Sequence, residues 1–147
     1  EMETALYLAD NAGEIVADAL FVSYLPVDRV TVAVKGGPAI NDATLEDARQ
    51  TGLTEQVEVV DNGDDAPGTL LDECSPEFRR RFESADIVIS KGQANFETLS
   101  DRGEDIVFLL KAKCPVVARH IGCQMGDMVL LNTGSRSRAG RDSGRGE

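Results

Sequence analysis

Tryptophan is absent from this sequence, histidine occurs once (His120), and the three cysteines are Cys74, Cys114 and Cys123. An odd cysteine count without close paired spacing excludes a disulfide scaffold and a thiolate zinc site, and points to a reducing compartment. Long apolar runs are also lacking. None approaches the roughly 20 residues that span a bilayer, and no secretory signal opens the chain, so a soluble, cytoplasmic protein is expected. Positive charge is scarce: 15 basic residues face 26 acidic ones, for a formal net charge of -11. Nucleic acid and anionic membranes need a broad basic patch, which this balance excludes, whereas a metal cation or a small anion in a local basic pocket fits it. There is no Walker loop, no Gly-x-Gly-x-x-Gly after the first strand and no serine-hydrolase elbow.

The few lysines are placed informatively. Eleven of the basic residues are Arg, and the four Lys (Lys35, Lys91, Lys111 and Lys113) all stand at or just past the ends of apolar runs. Strand-like and helix-like patterns alternate from the first residues onward, the signature of an α/β domain with a largely parallel sheet. Strands are expected over 4–9, 29–34, 56–60, 86–90, 106–110, 116–118 and 128–131, with helices over 13–24, 42–51, 76–83 and 95–100. Asp42 is positioned to cap the second helix. The link 111–115 is too short for a crossover helix. Residues 133–147 hold four Arg, four Gly and three Ser with almost nothing apolar. One domain over 1–132 and a disordered tail over 133–147 are therefore expected. Phe78, Phe82, Phe96 and Phe108 are assigned to the core, Cys114 and Cys123 to packing, and His120 to a loop or edge.

In a parallel α/β sheet, ligands bind beyond the carboxyl ends of the strands, where strand order reverses. The polar clusters fall there: Asp10-Asn11 after the first strand, Lys35 and Asn41-Asp42 after the second, Asn62-Gly63 after the third, Lys91 after the fourth and Lys111 after the fifth. Asp10, Asn11 and Asp42 would supply three hard oxygen ligands from two strand ends, a set that suits magnesium or manganese beside a phosphate. Lys91 and Lys111 are compact cations for non-bridging phosphate oxygens, and Asn41 and Asn95 are candidate phosphate contacts. Each of these residues also has an ordinary structural reading, as helix cap, turn amide or solvated loop lysine.

Five blocks carry a family resemblance: ALYLADNAGEIVADAL, VAVKGGPAINDAT, VVDNG with a later PGT, IVISKGQANFETL and FLLKAKCPVVA. In order and approximate spacing they are similar to the metal-dependent damage-control phosphatases, first catalogued as domain of unknown function eighty-nine. The resemblance covers about residues 4–131. It implies a Rossmann-like three-layer α/β/α domain that hydrolyses phosphate monoesters of small metabolites, sugar phosphates or damaged cofactor intermediates. It further implies a divalent metal (Mg, Mn, Co or Ni) on Asp10, Asn11 and Asp42, and phosphate contacts from Lys91, Asn95 and Lys111. Asp10, Asp42 and Lys91 are then the catalytic candidates. One branch of the family carries Arg-Thr-x-Lys where this sequence has Phe108-Leu109-Leu110-Lys111, so that branch's sugar-phosphate preference does not transfer. The resemblance also implies a helical segment ahead of the domain that helps to close the site. This chain enters its first strand at once, so an open face is expected, covered by a helical partner segment or a second copy. Two other readings stand beside the phosphatase: a non-catalytic metal- or metabolite-binding module, and a Rossmann-like carboxyl methyltransferase.

Overall fold

All four residues of β1 (Ala5–Leu8) are buried. A strand with one wet face would alternate, so β1 must be sandwiched between two layers. The computed structural model describes residues 4–134. After β1 come α1 (Ile15–Ser23), β2 (Val30–Val34), α2 (Leu45–Gln50), β3 (Glu58–Asp61), α3 (Pro76–Ser84), β4 (Ile87–Lys91), α4 (Gln93–Leu99), β5 (Ile106–Lys111), α5 (Pro115–Ile121) and β6 (Met128–Asn132). The strand order is β3-β2-β1-β4-β5-β6. The first five strands are parallel and β6 runs antiparallel to β5. This is the expected α/β architecture. From residue 135 onward the expected tail lies outside the described residues.

Two cores flank the sheet. Ala5 and Tyr7 face one side with Ile15, Ala19, Val22, Ala48 and Leu53, beneath α1 and α2. Leu6 and Leu8 face the other with Phe78, Phe82, Phe96, Phe108 and Val117, beneath α3, α4 and α5. The four phenylalanines assigned to the core are all buried there. At the β6 edge the α1 side is uncovered: Met128 is 79% exposed and Leu130 73%.

Two local expectations are corrected. Residues 116–118 are not a strand but lie in α5, which starts at Pro115, the last residue of the link expected to hold no helix. The paired valines suggest a strand, but Pro115 starts the helix, Cys114 Sγ accepts from Val117 N–H at 3.5 Å, and Gly122 stops it at φ 88°. Because β6 is antiparallel, no crossover is needed there. Nor does Asp42 cap the second helix. Thr44 does, with Asp47 Oδ2 accepting from Thr44 N and Oγ1 at 2.8 Å each. Asp42 is thereby left for another role.

Candidate functional site

The direction of travel through the sheet reverses between β1 and β4, which pair through Leu8 and Ser90. Asp10 follows β1, and Lys91 ends β4 directly across the seam. The segment after β2 folds back along the segment after β1. Ala43 N donates to Asp10 O at 2.7 Å, Ala12 N donates to Asn41 O at 2.8 Å, and Asn11 and Asp42 form an antiparallel bridge. Backbone pairing thus sets Asp10, Asn11 and Asp42 side by side. Ile40, which turns the chain into this bridge, has φ 52°, a strained setting for a β-branched residue.

The carboxylates there are poorly compensated. Burial, then the charges of Glu14 and Asp42, push the Asp10 carboxyl up to about 6, although the ammonium groups of Lys113 and Lys91 oppose this. Asp42 is raised by burial too, against the pull of Lys35. Asn11 Nδ2 donates to Asp10 Oδ2 at 3.3 Å and to Glu14 Oε1 at 3.2 Å. Among the described residues nothing donates to the Asp42 carboxylate or to Asn11 Oδ1. Nor do three or more His, Cys, Asp or Glu side chains converge as a metal cluster among those residues. The donor set is two carboxylates and an amide, all hard oxygens. It fits magnesium or manganese, which keep several waters and take few protein ligands, and it does not fit a thiophilic ion.

Lys91 is held from two sides. Its Nζ donates to Asp18 Oδ1 at 2.8 Å and to Glu14 Oε2 at 3.0 Å. Asp18 is buried, and its Oδ1 also accepts from Tyr7 Oη at 2.6 Å. Burial works against the Lys91 charge, but the bonds and charges of Asp18 and Glu14 outweigh it and raise its pKa. Burial first, then Asp18, pushes the Tyr7 hydroxyl up as well. These groups line a cleft of about 680 Å³ together with Asp10, Lys111, Lys113 and the apolar Phe21 and Leu130.

Of the residues singled out in the sequence, Asp10 and Lys91 line this mouth, and Asn11 and Asp42 stand beside Asp10. Lys111 lines the cleft from the end of β5. Asn41 contributes its backbone carbonyl to the Asp10 segment, and its side chain is exposed. Asn95 is buried. Its Nδ2 donates to Lys91 O at 2.8 Å and its Oδ1 accepts from Thr69 Oγ1 at 2.8 Å, so it braces the strand end beneath Lys91. Lys35 is buried as well and donates to Ala66 O at 2.6 Å and to Gly68 O. It ties down the loop between β3 and α3. His120 is exposed and meets Phe96 edge-on, with ring centroids 5.9 Å apart. Glu14, Asp18, Tyr7 and Lys113 were not singled out. For Glu14 and Asp18 the signal was available: they are four apart at a helix start and so share one face.

A Rossmann-like sheet that gathers hard oxygen donors and ammonium groups at its switch point defines an α/β class of domain, with these groups where such sheets bind their ligands. The sequence matches the damage-control phosphatase ARMT1-like domain over residues 1–129. An uncharacterized protein of Methanocaldococcus jannaschii is 46% identical over 132 residues, which cover 86% of this chain and 43% of that protein. A damage-control phosphatase of Archaeoglobus fulgidus is 45% identical over 128 residues, or 84% of this chain and 44% of its own. The crystal structure of a DUF89 family protein from Pyrococcus horikoshii superposes with a TM-score of 0.85 at 41% identity, over 90% of this chain and 48% of that one. The chain belongs to the ARMT1-like damage-control phosphatase (DUF89) family. It spans less than half the length of these relatives.

Proposed function

We propose that this domain carries the site of a divalent-metal-dependent phosphatase that hydrolyses a phosphate monoester of a small metabolite in the cytoplasm. One observation carries the reading: Asp10, set beside the hard oxygen donors of Asn11 and Asp42, lines one cleft with the Lys91 ammonium across the β1/β4 seam. The phosphatase names of the matching domain and of the Archaeoglobus relative support it. Asp10, Asn11 and Asp42 would hold the ion, with magnesium and manganese the best chemical match and cobalt or nickel further candidates. A divalent ion there supplies polarisation of the phosphoryl group and a water of lowered pKa.

The remaining work falls to the chain's own groups. Lys91 neutralises charge on the phosphoryl oxygens, and its bond to buried Asp18 fixes its head in place. Lys111 and Lys113 add positive potential along the same wall. A carboxylate oxygen of Asp10 or Asp42 accepts a hydrogen bond from the attacking water and orients it. The exposed apolar strip at Met128 and Leu130 is where a helical partner segment or a second copy would cover the cleft. No helix among the described residues is long and apolar enough to cross a membrane.

The test is release of phosphate from p-nitrophenyl phosphate and a panel of sugar phosphates, with and without manganese, by wild type and Asp42→Ala. Turnover that needs the metal and is lost in Asp42→Ala is expected. Metal-independent turnover that survives the substitution overturns the reading. Tight manganese binding without turnover would favour a binding module that works only with the further half present in its longer relatives.

A further inference from the structure

Glu14 occupies a curious position. Its Oε2 accepts from Lys91 Nζ at 3.0 Å, and its Oε1 accepts from Asn11 Nδ2 at 3.2 Å. One carboxylate therefore bridges the proposed phosphate-binding cation and the side-chain amide of a proposed metal ligand. Two oxygens of a phosphoryl group, set between metal and lysine, would make the same pair of contacts. Glu14 and the incoming phosphate want one place.

The two carboxylates on Lys91 differ in how firmly they hold it. Asp18 is 3% exposed, shares Oδ1 between Lys91 and Tyr7, and has no partner for Oδ2 among the described residues. Pulling Lys91 off Asp18 would strand a buried charge, a strongly unfavourable change. Glu14 is 44% exposed and can rotate into water, giving up a contact of the kind that contributes little at a surface. Lys91 thus has one permanent partner and one exchangeable partner.

We infer that the gap between Lys91 Nζ and Asn11 Nδ2 is the seat of the phosphoryl oxygens, and that the Glu14 carboxylate fills it until phosphate displaces it. The inference rests on the phosphatase reading and adds to it a specificity rule. An occupant must outcompete a carboxylate for Lys91 while facing the negative charges of Asp10, Asp18 and Asp42. A dianionic monoester does so through its higher charge, and a monoanionic diester or carboxylate does so poorly. Glu14 acts as a charge filter at the mouth.

The probe is inorganic phosphate, titrated calorimetrically into the 147-residue chain saturated with manganese. Glu14→Gln is expected to bind phosphate about fivefold tighter than wild type, since one competing ion pair of surface type is removed. Glu14→Ala should show the same gain, and position 14 is exposed enough for both variants to fold. Lys91→Met should lose phosphate binding while keeping manganese, and Glu14→Gln should bring no gain in the Lys91→Met background. Glu14→Gln binding as wild type or more weakly, with Lys91→Met impaired, overturns the filter and leaves the phosphatase reading standing. Lys91→Met binding phosphate as wild type, or a wild type and Glu14→Gln that both fail to bind it, removes the Lys91 role and the filter together.

Discussion

The carboxylate of Asp10 occupies the space where a side chain at position 92 would begin: a Cβ built on Gly92 stands 2.2 Å from Asp10 Oδ2 and 2.3 Å from its Cγ. Gly92 also has φ 88°, so the strand-to-helix turn after Lys91 and the seating of Asp10 both require the same bare backbone. Gly92→Ala should destabilise the domain by about 2–4 kcal/mol, from left-handed strain plus the clash. It should also weaken manganese binding, because Asp10 must move. Gly103 has φ 85° but nothing within 4 Å of its Cβ. Gly103→Ala should therefore show only the strain, about 1 kcal/mol, with manganese affinity unchanged. Thermal unfolding and metal titration of the pair check this.

Lys35 is a buried cation that burial drives toward the neutral form, with Asp42 and Asp64 resisting. Its bonds to the carbonyls of Ala66 and Gly68 pin the loop after β3. Lys35→Met keeps the volume and removes both donors, so a loss of about 1–3 kcal/mol is expected. The loss should be local. Amide exchange should quicken in residues 64–69 before the central strands change.

Ile40 is 91% exposed and holds φ 52°, so its side chain gains little from packing while its backbone is strained. Ile40→Gly should raise stability by about 1 kcal/mol, seen as a higher melting temperature, provided that the Asn11–Asp42 bridge is kept. An unchanged or lower melting temperature would show that the turn is held at no net strain.

Glu58 on edge strand β3 accepts from Arg81 Nη1 at 2.9 Å and Nη2 at 2.8 Å, and from Thr31 Oγ1 at 2.8 Å. The Arg81 hydrogen bonds, opposed by burial and aided by Thr31, hold its carboxyl below the usual range. A folded pKa below the unfolded one means stability that is present above about pH 4.3, the unfolded value, and lost as pH falls through the folded value. Because the pair is partly exposed, its worth is on the order of 1 kcal/mol or less. The Glu58→Gln minus wild-type difference in stability should thus be flat from pH 6 to 8 and vanish in acid. A difference that persists at pH 3 would mean that charge is not its origin.

How far the sequence carries the fold depends on which forces act locally. The central strands were legible because burial on both faces leaves runs such as Leu6-Tyr7-Leu8 with no charged residue in them. The segment after β5 was not, since Val116-Val117 favours a strand by propensity while Pro115 and Gly122 dictate a helix. Asp42 reads as a cap as well as a ligand, because an acidic residue before a helical pattern usually caps it. Only the bridge to Asn11, a contact across 31 residues of sequence, reveals otherwise. Asp18 was hidden for a similar reason: its partners Tyr7 and Lys91 lie on two different strands. Residue types at strand ends could be found by position, but which of them touch depends on registers that a single sequence does not print.

The central seam has a mechanical meaning. Every oxygen donor of the site comes from the β1-β2-β3 half of the sheet and every mouth-facing ammonium from the β4-β5 half, and the halves meet where β1 pairs with β4. Backbone bonds hold that junction between segments far apart in the chain, such as Ile87 N–H to Thr4 O at 3.3 Å. A ligand that touches both sets of groups is a staple across that line. Its binding free energy adds to the cohesion of the whole sheet, so occupancy should be felt at the far ends of β1 and β4 as well as at the mouth.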